Sequence, residues 1–174
     1  MIEAPQIDVS VLSDRWATLD FDAQEKAQAV LTQAWPKIPL PKSLKKYEGF
    51  EVSVALSDDE QVQTLNRDFR DMDKPTNVLS FASMDMEDNS PEFAEKIFPL
   101  GDIVIAFETT EREAAQMDVP FETHYTHLLI HGFLHLLGFD HIDEKDAESM
   151  ESLEIQILGS MGIENPYARS RFVA

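Results

Sequence analysis

The five histidines of this chain all lie between residues 123 and 142. Four of them follow one another at spacings of 3, 4 and 4 residues, which places them on one stripe of a helix. His131 and His135 are one turn apart, Gly138 is typical of a helix end, and His141 follows three residues later. Three imidazoles at this spacing can bind one tetrahedral ion and leave a fourth position open. The spacing therefore predicts a metal site at His131, His135 and His141. Neutral imidazoles without a thiolate favour zinc, one ion per chain, over nickel, cobalt or copper.

Three neighbouring polar residues have less certain roles. His127 lies one turn before His131 and is equally able to orient a ligand, to contact a substrate or simply to pack; His124 is no better defined. Asp140 precedes His141 directly, and we expect its carboxylate to orient an imidazole, with capping of the turn as the alternative.

The histidine spacing equals that of metzincin proteases, H-E-x-x-H-x-x-G-x-x-H. In those enzymes a glutamate after the first histidine is the general base, and Gly132 occupies that position here. A metzincin-like protease is therefore a possible but disfavoured interpretation.

Composition narrows the class of protein. The chain has 174 residues, 43% of them hydrophobic, with no cysteine and no apolar run long enough to cross a membrane, which predicts one soluble, cytoplasmic domain over residues 1–174. The net charge is −19, from 33 acidic and 14 basic residues. Nine of the basic residues lie at or before Lys74, so we expect any anion site to draw on the first half of the chain.

Apolar periodicity and capping pairs predict the order β-α-β-α-β-β-α-α-α, a small mixed sheet with packed helices. Residues 83–99 are predicted to form a loop. The last helix has one acidic face, predicted to be exposed to solvent. Strands are predicted at 7–11, 52–56, 77–81 and 102–106; helices are predicted from Asp22, Ser57, Thr110 and Asp118; the acidic face comprises Glu148, Glu151 and Glu154.

Three ordered blocks resemble one known family. Residues 131–141, H-G-F-L-H-L-L-G-F-D-H, resemble the H-G-x-L-H-L-x-G-Y-D-H signature of the YbeY family of bacterial endoribonucleases, with Phe139 in place of the usual tyrosine. Two further blocks agree with the same family. The second block comprises Asn66, Phe69-Arg70 and residues 73–81, and the third comprises residues 100–105. The resemblance covers the chain from about Val52 to its end.

The resemblance implies a zincin-like α+β fold, with a four-stranded mixed sheet and about five helices. It implies a single-strand-specific, metal-dependent endoribonuclease that matures the 3′ end of 16S rRNA and acts in ribosome quality control. Its partners would be single-stranded RNA and the small ribosomal subunit with its assembly proteins, with no DNA or membrane. Arg70 and His131 would be catalytic, and His131, His135 and His141 would hold the zinc ion.

Two alternatives stay open. Arg70 would, without the family match, be read as a surface partner of Asp71 or Asp73. The second alternative is that the protein is a non-catalytic ribosome-assembly factor whose metal is structural. It stays open because a net charge of −19 should repel free RNA.

Overall fold

The computed structural model describes residues 2–85 and 96–169. The predicted order of elements is confirmed over these residues. The strands are β1 Gln6–Val11, β2 Gly49–Ser57, β3 Val78–Ala82 and β4 Ile97–Ala106; the helices are α1 Ala23–Ala34, α2 Asp59–Arg70, α3 Phe107–Met117, α4 Phe121–Leu136 and α5 Glu144–Ser160. None of the helices in these two ranges is long and apolar enough to span a membrane.

The four strands form one mixed sheet, as predicted, and their order within it is β1-β2-β4-β3. Strands β1, β2 and β4 are parallel, and β3 runs antiparallel to β4 at one edge. The pairing of β2 with β4 shifts where Glu51 faces Pro99 and Val52 faces Gly101. Gly101 has φ +135° there, and a Cβ on it would lie 2.1 Å from the carbonyl oxygen of Phe81, so the strand needs glycine at this point.

Helix α4 lies at the centre of the molecule. It packs on β3 and β4, on α1, and on α3 and α5, and every residue from His124 to Leu134 is buried. A helix can be apolar on nearly all sides only if it is enclosed in this way. The opposite face of the sheet is covered by α2, through a smaller cluster of Val62, Leu79, Val104 and Ala106.

Three helix starts and one loop boundary differ from prediction. Helix α4 begins at Phe121 rather than at Asp118, because Asp118 is the left-handed residue that ends α3. Helix α2 is capped by Asp58, whose side chain accepts from the Gln61 backbone N–H at 2.8 Å, because Ser57 still belongs to β2. Helix α3 begins at Phe107 rather than at Thr110, because β4 runs directly into it. Strand β4 begins at Ile97, inside the predicted loop 83–99, of which residues 86–95 lie outside the described residues.

Helix α4 lies close against the sheet at Gly132. A Cβ on this residue would lie 3.0 Å from Ile103 Cγ2, 3.1 Å from Ser80 Oγ and 3.3 Å from Val78 Cγ2. The Ser80 hydroxyl also donates to the Gly132 carbonyl oxygen at 3.2 Å. Even one methyl group would therefore press α4 away from β3 and β4.

We expect Gly132→Ala to lower the melting temperature. Overpacking a tight contact costs about 1–3 kcal/mol, which outweighs the gain of about 1 kcal/mol in helix propensity. Gly159→Ala is the matched control, because Gly159 is also helical but a Cβ there would meet nothing within 4 Å. Thermal melts of both variants test this, and a Gly132→Ala protein that melts at or above the wild-type temperature would contradict the close contact.

Candidate metal centre

The end of helix α4 brings three histidines together. His131 and His135 project from its last two turns, and the helix ends at Leu136. Gly138 has φ +95°, a conformation that reverses the chain, and the backbone N–H of Phe139 bonds back to the Leu134 carbonyl at 3.0 Å. The chain then places His141 beside the other two rings, with ring centroids 5.6 Å from His131 and 5.2 Å from His135.

The nitrogen atoms of His131, His135 and His141 converge on one point. One ligand atom from each ring lies within 4.8 Å of the others, so the group could hold a metal ion. The Nε2 atoms of His131 and His135 are 3.1 Å apart. Two nitrogen ligands of one tetrahedral zinc ion lie about 3.3 Å apart, given Zn–N bonds of about 2.0–2.1 Å. The spacing therefore suits two bonds to a single ion.

Hydrogen bonds on the far side of the His131 and His135 rings fix which of their nitrogens faces that point. His131 Nδ1 lies in a very short hydrogen bond with Glu154 Oε1, and His135 Nδ1 donates to the Phe139 carbonyl oxygen at 3.0 Å. A carboxylate and a carbonyl only accept, so both Nδ1 atoms carry the proton. In the neutral form of each ring the Nε2 atom is then the acceptor, and the two Nε2 atoms face each other. A cation between them would stabilise this arrangement.

The protonation state of His135 also suits a metal ligand. Burial first, and then the proximity of His131 and His141, lower the pKa of His135 to about 4. The ring is therefore neutral near pH 7, which is the form that binds metal ions. The donor set fits an ion that prefers nitrogen ligands.

The sequence predicts Glu154 on the solvated acidic face of α5, and this prediction is wrong. Glu154 is fully buried, with no exposed surface. Burial by itself raises the pKa of Glu154, but hydrogen bonds from His127 and His131 outweigh it and lower the pKa to about 2. The carboxylate is thus charged, and it lies directly behind the His131 ring, on the side opposite the convergent nitrogens.

Two further donors hold this carboxylate. His127 Nε2 donates to Glu154 Oε2 at 3.2 Å, and the Tyr167 hydroxyl makes a very short hydrogen bond to the same oxygen. Tyr167 comes from the 3-10 turn Pro166–Arg169, after α5. Burial and then the charge of Glu154 raise the pKa of Tyr167, so its hydroxyl stays protonated and donates.

A signal for Glu154 is present in the sequence. Met150 and Ile157 belong to the apolar face of α5, and position 154 lies four residues after one and three before the other. Residues at these spacings share a helix face, so the periodicity alone places Glu154 inward. Tyr167 has no such signal, because its contact with Glu154 depends on how the chain returns after α5.

The roles left open for the other polar residues are now defined. His127 orients the Glu154 carboxylate rather than lining the cleft in front of the histidines. His124 Nε2 bonds Glu113 at 2.8 Å, away from the convergent nitrogens. Asp140 caps the turn, since its Oδ1 accepts from the His141 backbone N–H at 2.7 Å and is 4.0 Å from the imidazole Nδ1 of that residue.

Arg70 lines the same cleft as the three histidines, a cavity of about 620 Å³. It is the last residue of α2, its Nη2 donates to the Ser80 carbonyl oxygen at 2.7 Å, and its guanidinium lies 5.4 Å from the Phe81 ring centroid. Among the ion pairs of the described residues, none joins Arg70 to Asp71 or Asp73. The surface ion pair is therefore not how this arginine is held.

Gly132 occupies the position of a metzincin's catalytic glutamate and has no side chain. A Cβ added to it would meet Ile103, Ser80 and Val78 of the sheet at 3.0–3.3 Å. A general base cannot be supplied from this position of α4.

Comparison with known proteins places the chain in a family. Residues 12–162 match the sequence profile described as "Endoribonuclease YbeY". A protein of that name from Rhodopseudomonas palustris (strain BisB18) is 43% identical over 164 residues, 94% of this chain and 93% of that protein. One from Rhodospirillum rubrum is 49% identical over 144 residues, 83% of this chain and 72% of that protein.

Among solved structures, the solution structure of a Thermotoga maritima protein has a similar fold. Its TM-score is 0.50 at 22% sequence identity, covering 90% of this chain and 92% of that one. This likeness bears on the fold alone, whereas the sequence matches extend across the histidine turn, the arginine helix and the sheet. The chain therefore belongs to the YbeY endoribonuclease family.

Proposed function

We propose that this protein is a metal-dependent endoribonuclease that cleaves single-stranded RNA. The observation that carries the proposal is the shared cleft, in which Arg70 and the three convergent histidines line one cavity. Cleavage of a phosphodiester builds negative charge on the phosphoryl oxygens, and fixed positive groups around that charge lower the barrier. Family membership supports RNA as the substrate.

We propose one zinc ion per chain, held by His131, His135 and His141. Nitrogen donors without a thiolate suit zinc, and the rings of His131 and His135 already present their Nε2 atoms at a suitable spacing. When bound, such an ion would polarise a phosphoryl oxygen and acidify a water molecule. His131 would then be catalytic through the ion that it holds.

Arg70 is proposed to contact the scissile phosphate. Within the part of the chain that the structure describes, Arg70 donates one hydrogen bond, from Nη2 to the Ser80 carbonyl oxygen, and a guanidinium has five donors in a planar fork. The remaining donors can bind two phosphate oxygens at once, which a point charge such as an ammonium cannot do in the same geometry.

The charge distribution of the cleft supports an anionic substrate despite the net charge of −19. Among the described residues that line it, Arg70 and Lys74 are basic and Asp140 alone is acidic. The excess of carboxylates therefore lies elsewhere on the chain and repels RNA at a distance, while the cleft itself offers positive charge.

The finer biological role follows from the family resemblance. We propose that residues 1–174 act as one cytoplasmic metallohydrolase domain in maturation of the 3′ end of 16S rRNA and in ribosome quality control. The small ribosomal subunit and its assembly proteins would be the partners, and the acidic surface favours delivery by protein contacts over capture of free RNA. Comparing cleavage of bare rRNA with cleavage of ribosomal particles tests this role.

The proposed reaction predicts metal-dependent cleavage of RNA and no peptidase activity. A single-stranded RNA should be cut, the same sequence in a duplex should be cut far more slowly, and a chelator should stop cleavage until metal is restored. Casein should stay intact, because position 132 supplies no general base. Chelator-sensitive casein hydrolysis by a homogeneous preparation would favour the protease instead.

Metal content should depend on all three proposed ligands. The purified protein should bind about one transition-metal ion per chain, and His131→Ala, His135→Ala and His141→Ala should each lower that occupancy. His141→Ala is the cleanest variant, because its side chain is 44% exposed and its loss disturbs the core least. His124→Gln is the control, since His124 bonds Glu113 outside the cleft. Elemental analysis measures occupancy, and full occupancy in the three alanine variants would end the assignment.

Arg70→Ala should lower the rate of RNA cleavage by about a hundredfold or more, because removing one positioned charge donor commonly has that effect. Arg70→Lys should rescue poorly. Arg67→Ala is the matched control, since Arg67 lies on the same helix, pairs with Asp68 at 3.2 Å and does not line the cleft. Single-turnover cleavage should separate the two variants while both keep their metal; equal rates in them would remove Arg70 from the reaction.

A further inference from the structure

The metal-facing ring of His131 is backed by residues from three separate parts of the chain. His131 and His127 belong to α4, Glu154 belongs to α5, and Tyr167 belongs to the C-terminal turn Pro166–Arg169. The side chains of His127, His131 and Tyr167 all hydrogen-bond to the two oxygens of the Glu154 carboxylate. The Tyr167 ring also packs edge-on against the His127 ring, with centroids 5.6 Å apart and an interplanar angle of 86°.

We propose that Tyr167 and Glu154 are positioning residues for the metal centre, and that the C-terminal turn thereby sets the affinity of the site. This inference rests on the proposed role of His131 as a metal ligand. Tyr167 fixes Glu154, Glu154 fixes the tautomer and rotation of the His131 ring, and that ring presents Nε2 to the ion.

The physical reason lies in the two ends of the imidazole. A carboxylate that accepts from Nδ1–H keeps the proton on that nitrogen and raises the electron density at Nε2, which strengthens the metal bond. The same carboxylate could rotate about its own bond if only one oxygen were held. Tyr167 and His127 hold the other oxygen, so the orientation that His131 needs is fixed before any ion arrives.

Because Glu154 is buried, a hydrogen-bond donor that it loses is hard to replace. Glu154 has no exposed surface, so water cannot replace a lost donor without a change in packing. Removing the Tyr167 hydroxyl therefore leaves Oε2 with a weaker set of donors, and the carboxylate gains freedom to turn away from His131.

The test compares two tyrosine hydroxyls that are each bonded within the fold. Tyr167→Phe removes the donor to Glu154. Tyr125→Phe is the matched control, because Tyr125 lies on α4 beside the histidines but donates to the Ala23 carbonyl oxygen at 2.7 Å, away from the metal centre. Both variants lose one hydrogen bond, and only the first touches the proposed chain of contacts. Glu154→Gln is a third variant, which keeps the shape and removes the charge.

The measured quantities are the dissociation constant for Zn²⁺, from competition with a chromophoric chelator, and the ¹⁵N chemical shifts of the His131 ring in the metal-free protein. Loss of a residue that supports a ligand typically weakens metal binding about 10–100-fold. We expect about tenfold for Tyr167→Phe and more for Glu154→Gln, each with a shift toward mixed tautomers at His131. Tyr125→Phe should lower the melting temperature of the metal-free and metal-loaded protein alike and leave both readouts unchanged.

The possible outcomes separate this inference from the proposed function. A wild-type affinity and an unchanged His131 tautomer in Tyr167→Phe would overturn the role of the C-terminal turn while leaving the metal site in place. Equal weakening by Tyr125→Phe would show general destabilisation and would also overturn it. Failure of the wild-type protein to bind Zn²⁺ would overturn the ligand assignment itself. None of these readouts depends on RNA cleavage.

Discussion

A buried carboxylate governs the organisation of this molecule. Glu154 keeps its charge in the core because three side chains donate to it, and burial of such a charge without donors would cost several kcal/mol. Two of the donors, His127 and His131, are buried, and the third, Tyr167, is partly buried. Helices α4 and α5 and the C-terminal turn must therefore pack in one arrangement for the carboxylate to be satisfied. A cation held in front of His131 would complete the charge balance across that ring.

The apolar core supports this polar arrangement from the other side. Helix α4 is enclosed by the sheet and by α1, α3 and α5, so the histidine stripe has a rigid backbone behind it. The histidines of this stripe and of the turn after it differ in how deeply they are buried. His127 and His131 are almost fully buried and join the carboxylate, whereas His135 and His141 lie nearer the surface, where the cleft opens. Helix α4 and the turn that follows it thus carry both the supporting contacts and the groups nearer the solvent.

Local patterns in the sequence predict most of this fold and part of this site. The cluster of His131, His135 and His141 lies within eleven residues, and its geometry follows from one helical turn and the glycine after it. It could therefore be predicted without tertiary information. The strands and five helices follow from apolar periodicity. The starts of α2 and α3 were misplaced because several residues there can cap, and the choice depends on where the preceding strand ends. Glu154 was misassigned because two acidic neighbours at helical spacing suggested a solvated face. Tyr167 depends on a contact across thirteen residues that local rules do not reach.

Ser80 joins the two walls of the cleft. Its hydroxyl donates to the carbonyl oxygen of Gly132, next to His131, at 3.2 Å, and its own carbonyl oxygen accepts from Arg70 at 2.7 Å. Ser80 lies within β3 and is paired with Ile103 of β4, so its position is that of the sheet rather than of a loop. The span between the histidine nitrogens and the guanidinium is consequently set by secondary structure. An anion that bridges the two has to match a fixed width, which makes the cleft selective for the size of what it binds and reduces the conformational entropy lost on binding.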